Sequence, residues 1–322
     1  MVISRSTKNK WEGINDFAGN IDGNYHSIYG LYNVGKENVG FFNKIENNKK
    51  ATDHKFKTSI YNLDFKDCYV YGTENVAIIV GNADYLWIDN CNVYGKVYVS
   101  KNYGSGILGY FSSGGCRGIQ ITNSNNYSVI DGSSYLGGIL GYGHIGNGGG
   151  YDTSGNGNEK IIINNCINYG EIKGNSYVGG LIGETGVNLN CSGVEINNLA
   201  NEGNVTADGN YIGGIAGYVA TSYGMSIKGN NFYNKASINS NGNYIGGIYG
   251  YAQPDLSSGI ISIDDSYNIG NVIGVNYVGG ILGAGCSSWY GKTSVSKCIN
   301  IGQIKKQKRY GIWYFWRSIE CE

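Results

Sequence analysis

The residues able to do chemistry are few and poorly grouped. His26, His54 and His144 stand far apart with no His-Glu-x-x-His spacing, so the sequence offers no zinc peptidase centre. Cleavage of a polysaccharide needs converging carboxylates, or acidic calcium ligands with a basic residue beside the cleaved bond. Asp264-Asp265 is the only adjacent acidic pair, and one of the two falls where Ile163-Asn164-Asn165 has asparagine, so the pair reads as repeat variation. Arg117 is the only arginine within the repeats. Gly104-Ser105-Gly106-Ile107-Leu108-Gly109 matches the dinucleotide fingerprint, but that fingerprint works only where a helix follows the strand. Here it is one copy of a repeat, with Gly104 in place of the usual Val or Ile, and no cofactor is expected. Tyr110, Tyr142, Tyr218 and Tyr251 each follow the last glycine of a copy. Taken as exposed, their rings could stack on sugars, or they could simply shield the base of a loop.

The elements that position these residues come from one recurring unit. Tyr177-Val178-Gly179-Gly180-Leu181-Ile182-Gly183 returns at Tyr211, Tyr244 and Tyr277, and upstream at Tyr135 and, more loosely, at Tyr103. Successive tyrosines, the last at Tyr310, are 32 to 34 residues apart, save for 42 where an insert around 146–150 lengthens a loop. A second block, Ile161 to Ile172, precedes each glycine unit, with relatives that include 119–130, 194–205, 261–272 and 293–304. Each repeat thus holds an alternating strand, a second strand centred on Ile172, Val205, Val272 or Ile304, and the glycine unit as a third. Three short strands stacked on identical neighbours describe a coil of a parallel β-solenoid. The fold class expected is all-β, a single parallel β-helix of about eight coils. At about 4.8 Å per coil it forms a rod roughly 40 Å long.

Stacking gives each column of equivalent residues a physical meaning. Cys68, Cys91, Ser124, Cys166, Leu199, Phe232, Ser266 and Cys298 form one column of small or apolar side chains, expected to point inward. A disulfide between Cys68 and Cys91 is open, whereas Cys116, Cys191, Cys286 and Cys321 fall in loops or the tail with no Cys-x-x-Cys pair. Asn126, Asn168, Asn201, Asn234, Asn268 and Asn300 should form a hydrogen-bonded ladder, and the tyrosines a stack of rings. The doubled glycines permit a bend or a close backbone approach.

The domain reading places an N-terminal cap and first degenerate coil at 1–58, the array at 59–304, and an incomplete or disrupted last repeat at 305–322. Within the first, residues 14–31 read as two short strands joined through a tight turn at Asp22-Gly23-Asn24, and 44–58 as a polar surface loop. Lys305 to Arg309 read as a solvated turn. The tail then leaves the pattern at Ile312-Trp313, which suggests a truncated or frame-disrupted end. The 322 residues include 54 glycines and 1 proline, yet no Gly-X-Y period accompanies them, so collagen is excluded. An apolar content of 41% excludes a disordered chain, and a net charge of zero speaks against nucleic acid as a partner. No apolar run is long enough to span a membrane, and the first ten residues lack a signal-peptide core.

The Tyr-Val-Gly-Gly-Leu-Ile-Gly unit resembles the GLUG motif of bacterial surface proteins. The segments Phe17 to Gly23, Ile28 to Leu31 and Val39 to Phe42 are similar to the opening of such arrays. The resemblance covers roughly 14–311. It implies an extracellular or cell-surface protein, adhesin-like or the stalk of a surface peptidase, and it supplies no catalytic residue. The expectation is therefore a non-enzymatic stalk or spacer, with surface glycans or host extracellular proteins as partners and end-to-end association through an open last coil. The alternative is a β-helix polysaccharide lyase or glycoside hydrolase.

Overall fold

The computed structural model describes residues 9–46, 58–113, 117–146, 160–188, 191–255, 258–287 and 290–307, together with the backbone of 319–320. Among them there are strands and turns and no helix. The chain winds into a parallel β-solenoid. Its coils run over 20–45, 58–83, 86–113, 119–145, 161–187, 194–221, 226–253 and 260–287, and a ninth begins at 292–306.

The coil at 161–187 shows how sequence becomes shape. Strand Ile161–Asn168 buries Ile161, Ile163 and Cys166 and turns the residues between them outward. Ile172–Gly174 follows after a corner, then Val178–Gly179 after a second. The chain bends again at Gly180-Leu181 before Ile182–Val187. The expected third strand is therefore folded at its doubled glycine into a short segment and a longer one. Each segment pairs in parallel with its equivalent in the next coil: Ile161 with Val194, Ile172 with Val205, Val178 with Ile212, and Ile182 with Ala216. Backbone donors and acceptors are satisfied between layers, so one apolar core runs the length of the rod.

Two corners are built on left-handed backbone. Asn90, Asn123, Asn165, Asn198 and Asn231 have φ between 50° and 57°, and Tyr103, Tyr135, Tyr177, Tyr211, Tyr244 and Tyr277 between 52° and 69°. Asparagine tolerates this conformation, and its amide then continues a surface ladder, with Asn198 donating to Asn165 and Asn231 to Asn198, both at 2.8 Å. Tyrosine has no such excuse; its ring stack, described below, offsets the strain.

Several expectations need correction. Cys68 is not in the cysteine column: Leu63 stands opposite Cys91, and Cys68 stands opposite Gly95. An irregularity between Phe65 and Cys68, with Asp67 at φ 55°, displaces it. Cys68 and Cys91 are both free thiols, so the disulfide between them does not form. The two halves of Asn20–Tyr29 do not pair with each other; both stack in parallel on Thr58–Ala77, with Asn24 and Tyr25 forming a corner of a full coil. Of the 44–58 loop, residues 47–57 lie outside the described residues, while Lys44 and Thr58 belong to strands. Lys305 and Lys306 extend a strand, Ile304–Lys306, instead of a turn.

The two ends differ. Trp11 stacks on Phe41 at 5.1 Å and donates its indole N–H to the Phe41 carbonyl, and Phe17 packs on Phe42. These rings cover the N-terminal end of the core. At the other end Ile299, Ile301 and Ile304 remain exposed.

Candidate functional site

Two tyrosine ladders run side by side along one corner of the rod. The first begins as Asn38 and Asn75 and continues as Tyr103, Tyr135, Tyr177, Tyr211, Tyr244 and Tyr277. Its ring centroids lie 4.5 to 5.1 Å apart, and the planes of Tyr244 and Tyr277 differ by 3°. The second ladder lies across the glycine bend: Tyr110, Tyr142, Glu184, Tyr218, Tyr251 and Ala284 face one another in successive layers. All four tyrosines singled out in the sequence are therefore brought into one column.

They are half-buried, not exposed as expected. Tyr110 stacks on Tyr142 at 5.2 Å and Tyr218 on Tyr251 at 5.6 Å, so each ring covers a face of its neighbour. The first ladder meets them edge-on, as in Tyr103 against Tyr142 at 5.2 Å and Tyr211 against Tyr218 at 5.4 Å. Sugar stacking needs an open ring face, and mutual stacking removes most of that area.

Glu184 breaks the second ladder. Its residue is 8% exposed, and its Oε1 lies 2.9 Å from His144 Nε2. The His144 ring is parallel to Tyr142, 4.5 Å away. It reaches the glutamate because Gly186 stands opposite it in the next layer; a Cβ there would fall 2.6 Å from His144 Cε1. Burial pushes the Tyr142 and Tyr218 hydroxyls well above the phenol range, and the nearby Glu184 charge pushes in the same direction. Tyr135 is pushed up to about 12 by the same two causes. The cluster thus combines a recessed carboxylate, an imidazole and phenols that hold their protons, groups suited to binding a cation or moving a proton.

The sequence reading passed over this pair because His144 and Glu184 are 40 residues apart. One signal was available: Glu184 is an acidic residue at a position that is tyrosine in four other copies.

The remaining candidates do not converge. Asp264 accepts from Ser296 Oγ at 2.5 Å, and Asp265, at φ 46°, takes the corner position held by asparagine in other coils, 3.9 Å from Lys297. Arg117 is paired with Asp84 at 3.3 Å. The fingerprint glycines cross the bend between Leu86–Ser105 and Leu108–Ser113, with no helix after them. His26 lies exposed on the first coil, and His54, Cys116 and Cys321 lie outside the described residues. An open depression of about 530 Å³ is lined by Tyr32, Cys68, Tyr69 and Lys96. Burial pushes the Cys68 thiol there up to about 12, which keeps it protonated and a poor nucleophile. Cys191 and Cys286 are each disulfide-bonded.

No family model matches the chain, and no curated protein matches it either. Among solved structures, a protein from Bacteroides ovatus described as a candidate immunoglobulin A1 protease superposes with a TM-score of 0.41 at 16% identity. That superposition covers 96% of this chain and 71% of the other.

Proposed function

We propose that this chain is a rigid, non-enzymatic stalk of a secreted or surface protein, adhesin-like, whose loops and ladder edges present contacts to surface glycans or host extracellular proteins. The observation that carries the reading is register. Eight coils stack in parallel, in register apart from irregular corners such as the one at Cys68, and from Asn126 to Asn268 buried asparagine amides tie each layer to the next. Such a body transmits position along its axis and bends little, since each layer is hydrogen-bonded to the next. The resemblance of the repeat to the GLUG motif supports a surface location. So do the disulfides at Cys191 and Cys286, which persist in oxidising compartments. Carbohydrate contact at Tyr110, Tyr142, Tyr218 and Tyr251 would use ring edges and hydroxyls more than faces. The exposed Ile299, Ile301 and Ile304 support association through the C-terminal end, which sedimentation would register as a dimer.

A glycan array tests the adhesive part of the reading, and binding weakened by Tyr110→Ala or Tyr251→Ala is the expected result. Incubation with pectic and host polysaccharides, followed by a reducing-end assay, tests the alternative. New reducing ends from wild type but not from Glu184→Gln would replace the stalk with a carbohydrate-acting enzyme.

A further inference from the structure

We propose that the depression beside Tyr69, which spans the first three coils, is a binding site for a neutral saccharide, a short run of hexopyranose units. It lies on a different corner from the two tyrosine ladders, so it stands or falls separately from the contacts proposed there.

A change of chain length at one corner builds the site. Between the columns of Tyr29 and Tyr32 the first two coils carry a pair of residues, Gly30-Leu31 and Asp67-Cys68. The third coil carries only Gly95 there, and the fourth only Ser128. The depression of about 530 Å³ lies at that step, with Gly95 in its lining. Gly95 is at φ 148°, and a Cβ on it would fall 2.0 Å from the Cys68 carbonyl oxygen, so the position admits no side chain. The volume falls within the range of about 300–1,000 Å³ that small-molecule sites occupy.

The lining selects the ligand. Tyr69 supplies an aromatic wall: its ring stacks on Tyr32 at 5.3 Å with the planes 10° apart, yet the residue is 39% exposed. The next residue in its column is Lys96, so the ring stack ends at the depression. Asp67 and Lys96 supply the polar groups. Both are exposed, both line the depression, and neither forms an ion pair with a described residue. Lys66, on the neighbouring column, is already engaged: it pairs with Asp64 at 3.2 Å, and its Nζ lies 5.9 Å from the Tyr29 ring and 5.8 Å from the Tyr94 ring. An apolar ligand would strip water from a carboxylate and an ammonium without replacing their hydrogen bonds. A charged ligand of either sign would meet one attracting and one opposing side chain. A neutral ring rich in hydroxyls suits both, because Asp67 accepts from hydroxyls and Lys96 donates to them. Its C–H face then packs on the aromatic wall, as in sites that combine apolar lining with a few placed polar groups.

The test titrates the full chain with cellotetraose, mannotetraose, chitotetraose and lacto-N-neotetraose, with tetragalacturonate as the acidic comparison, read by calorimetry and by tyrosine ring proton shifts. Saturable binding of at least one neutral probe is expected, tighter than that of tetragalacturonate, with the Tyr69 ring shifts following saturation. Tyr69→Ala should weaken it by about fivefold or more, and Lys96→Ala by about threefold or more. Both positions are exposed, so both variants should melt close to wild type, which separates loss of the site from loss of the fold. The proposal is overturned if no neutral probe saturates, if either variant binds as wild type does, or if tetragalacturonate binds more tightly than every neutral probe. It is overturned as well if the shifts follow saturation at Tyr110 and Tyr251 and not at Tyr69, a result that would leave the ladder contacts standing.

Discussion

Asn201 is fully buried and sits in the middle of a chain of amides, accepting from Asn168 and donating to Asn234, both at 2.9 Å. This ladder explains the second glycine of the doublet. A Cβ on Gly180 would lie 2.4 Å from Asn201 Cγ, and one on Gly214 would lie 2.6 Å from Asn234 Cγ. The first two coils carry Phe41 and Ile78 at that bend, and the layers after them carry Phe65 and Val93 where later ones have asparagine. Glycine and asparagine are thus exchanged together for a packed apolar pair, as the contact of Phe41 with Phe65 at 5.4 Å shows. Asn201→Leu should strand a donor on Asn168 and an acceptor on Asn234. At about 1–3 kcal/mol for each unpaired group, urea unfolding should show a loss of roughly 2–6 kcal/mol. The buried protons make a second prediction. Burial pushes the Cys91 and Cys166 thiols up to about 12, and burial with the Glu184 charge does the same for Tyr135. The fold therefore favours the protonated forms. Stability should be intact below the unfolded values, about 8.5 for a thiol and about 10 for a phenol, and should fall as pH rises toward 12. Denaturant midpoints at neutral and strongly alkaline pH read this directly; equal midpoints would contradict it.

Among the strands, one layer departs from its neighbours in two places that compensate. Tyr249 stands where other coils have Leu140, Ile182 or Ala216, and Gly229 stands where they have Ile163, Ile196 or Ile263. The large ring fits because the glycine is small: a Cβ on Gly229 would lie 2.4 Å from the Tyr249 hydroxyl and 2.6 Å from Phe232. The fit leaves the Tyr249 hydroxyl fully buried without a hydrogen-bond partner. Tyr249→Phe should therefore raise the melting temperature, by about 1 kcal/mol of stability or more. Gly229→Ala should lower it, since neither ring has room to retreat. Neither residue announced this in the sequence. Tyr249 looks like one more member of a tyrosine-rich repeat, and its inward direction follows only from the bend at Gly246-Gly247.

On the scale of the whole rod, layers are interchangeable wherever the columns continue. Excising residues 194–226 would bring Ile227 onto Ile161, Asn234 onto Asn168 and Tyr244 onto Tyr177. The shortened chain should fold with an unchanged circular dichroism shape, and small-angle scattering should show its long dimension reduced by about 4.8 Å. Excising half that length should abolish folding, because every inward residue would then meet the wrong column.

Periodicity alone was enough to establish the solenoid, its layer length, the asparagine ladder and the first tyrosine stack. A side chain repeated every 33 residues must meet its own kind when identical coils stack in parallel. What periodicity could not show is which way the glycine unit bends, and so which tyrosines cover one another. Nor could it show that Cys68 slips out of its column, because one irregular corner shifts the register that a count assumes. The meeting of His144 with Glu184 belongs to the same class. It depends on two layers lying 4.8 Å apart and on an absent side chain at Gly186, and both are properties of the packed coil.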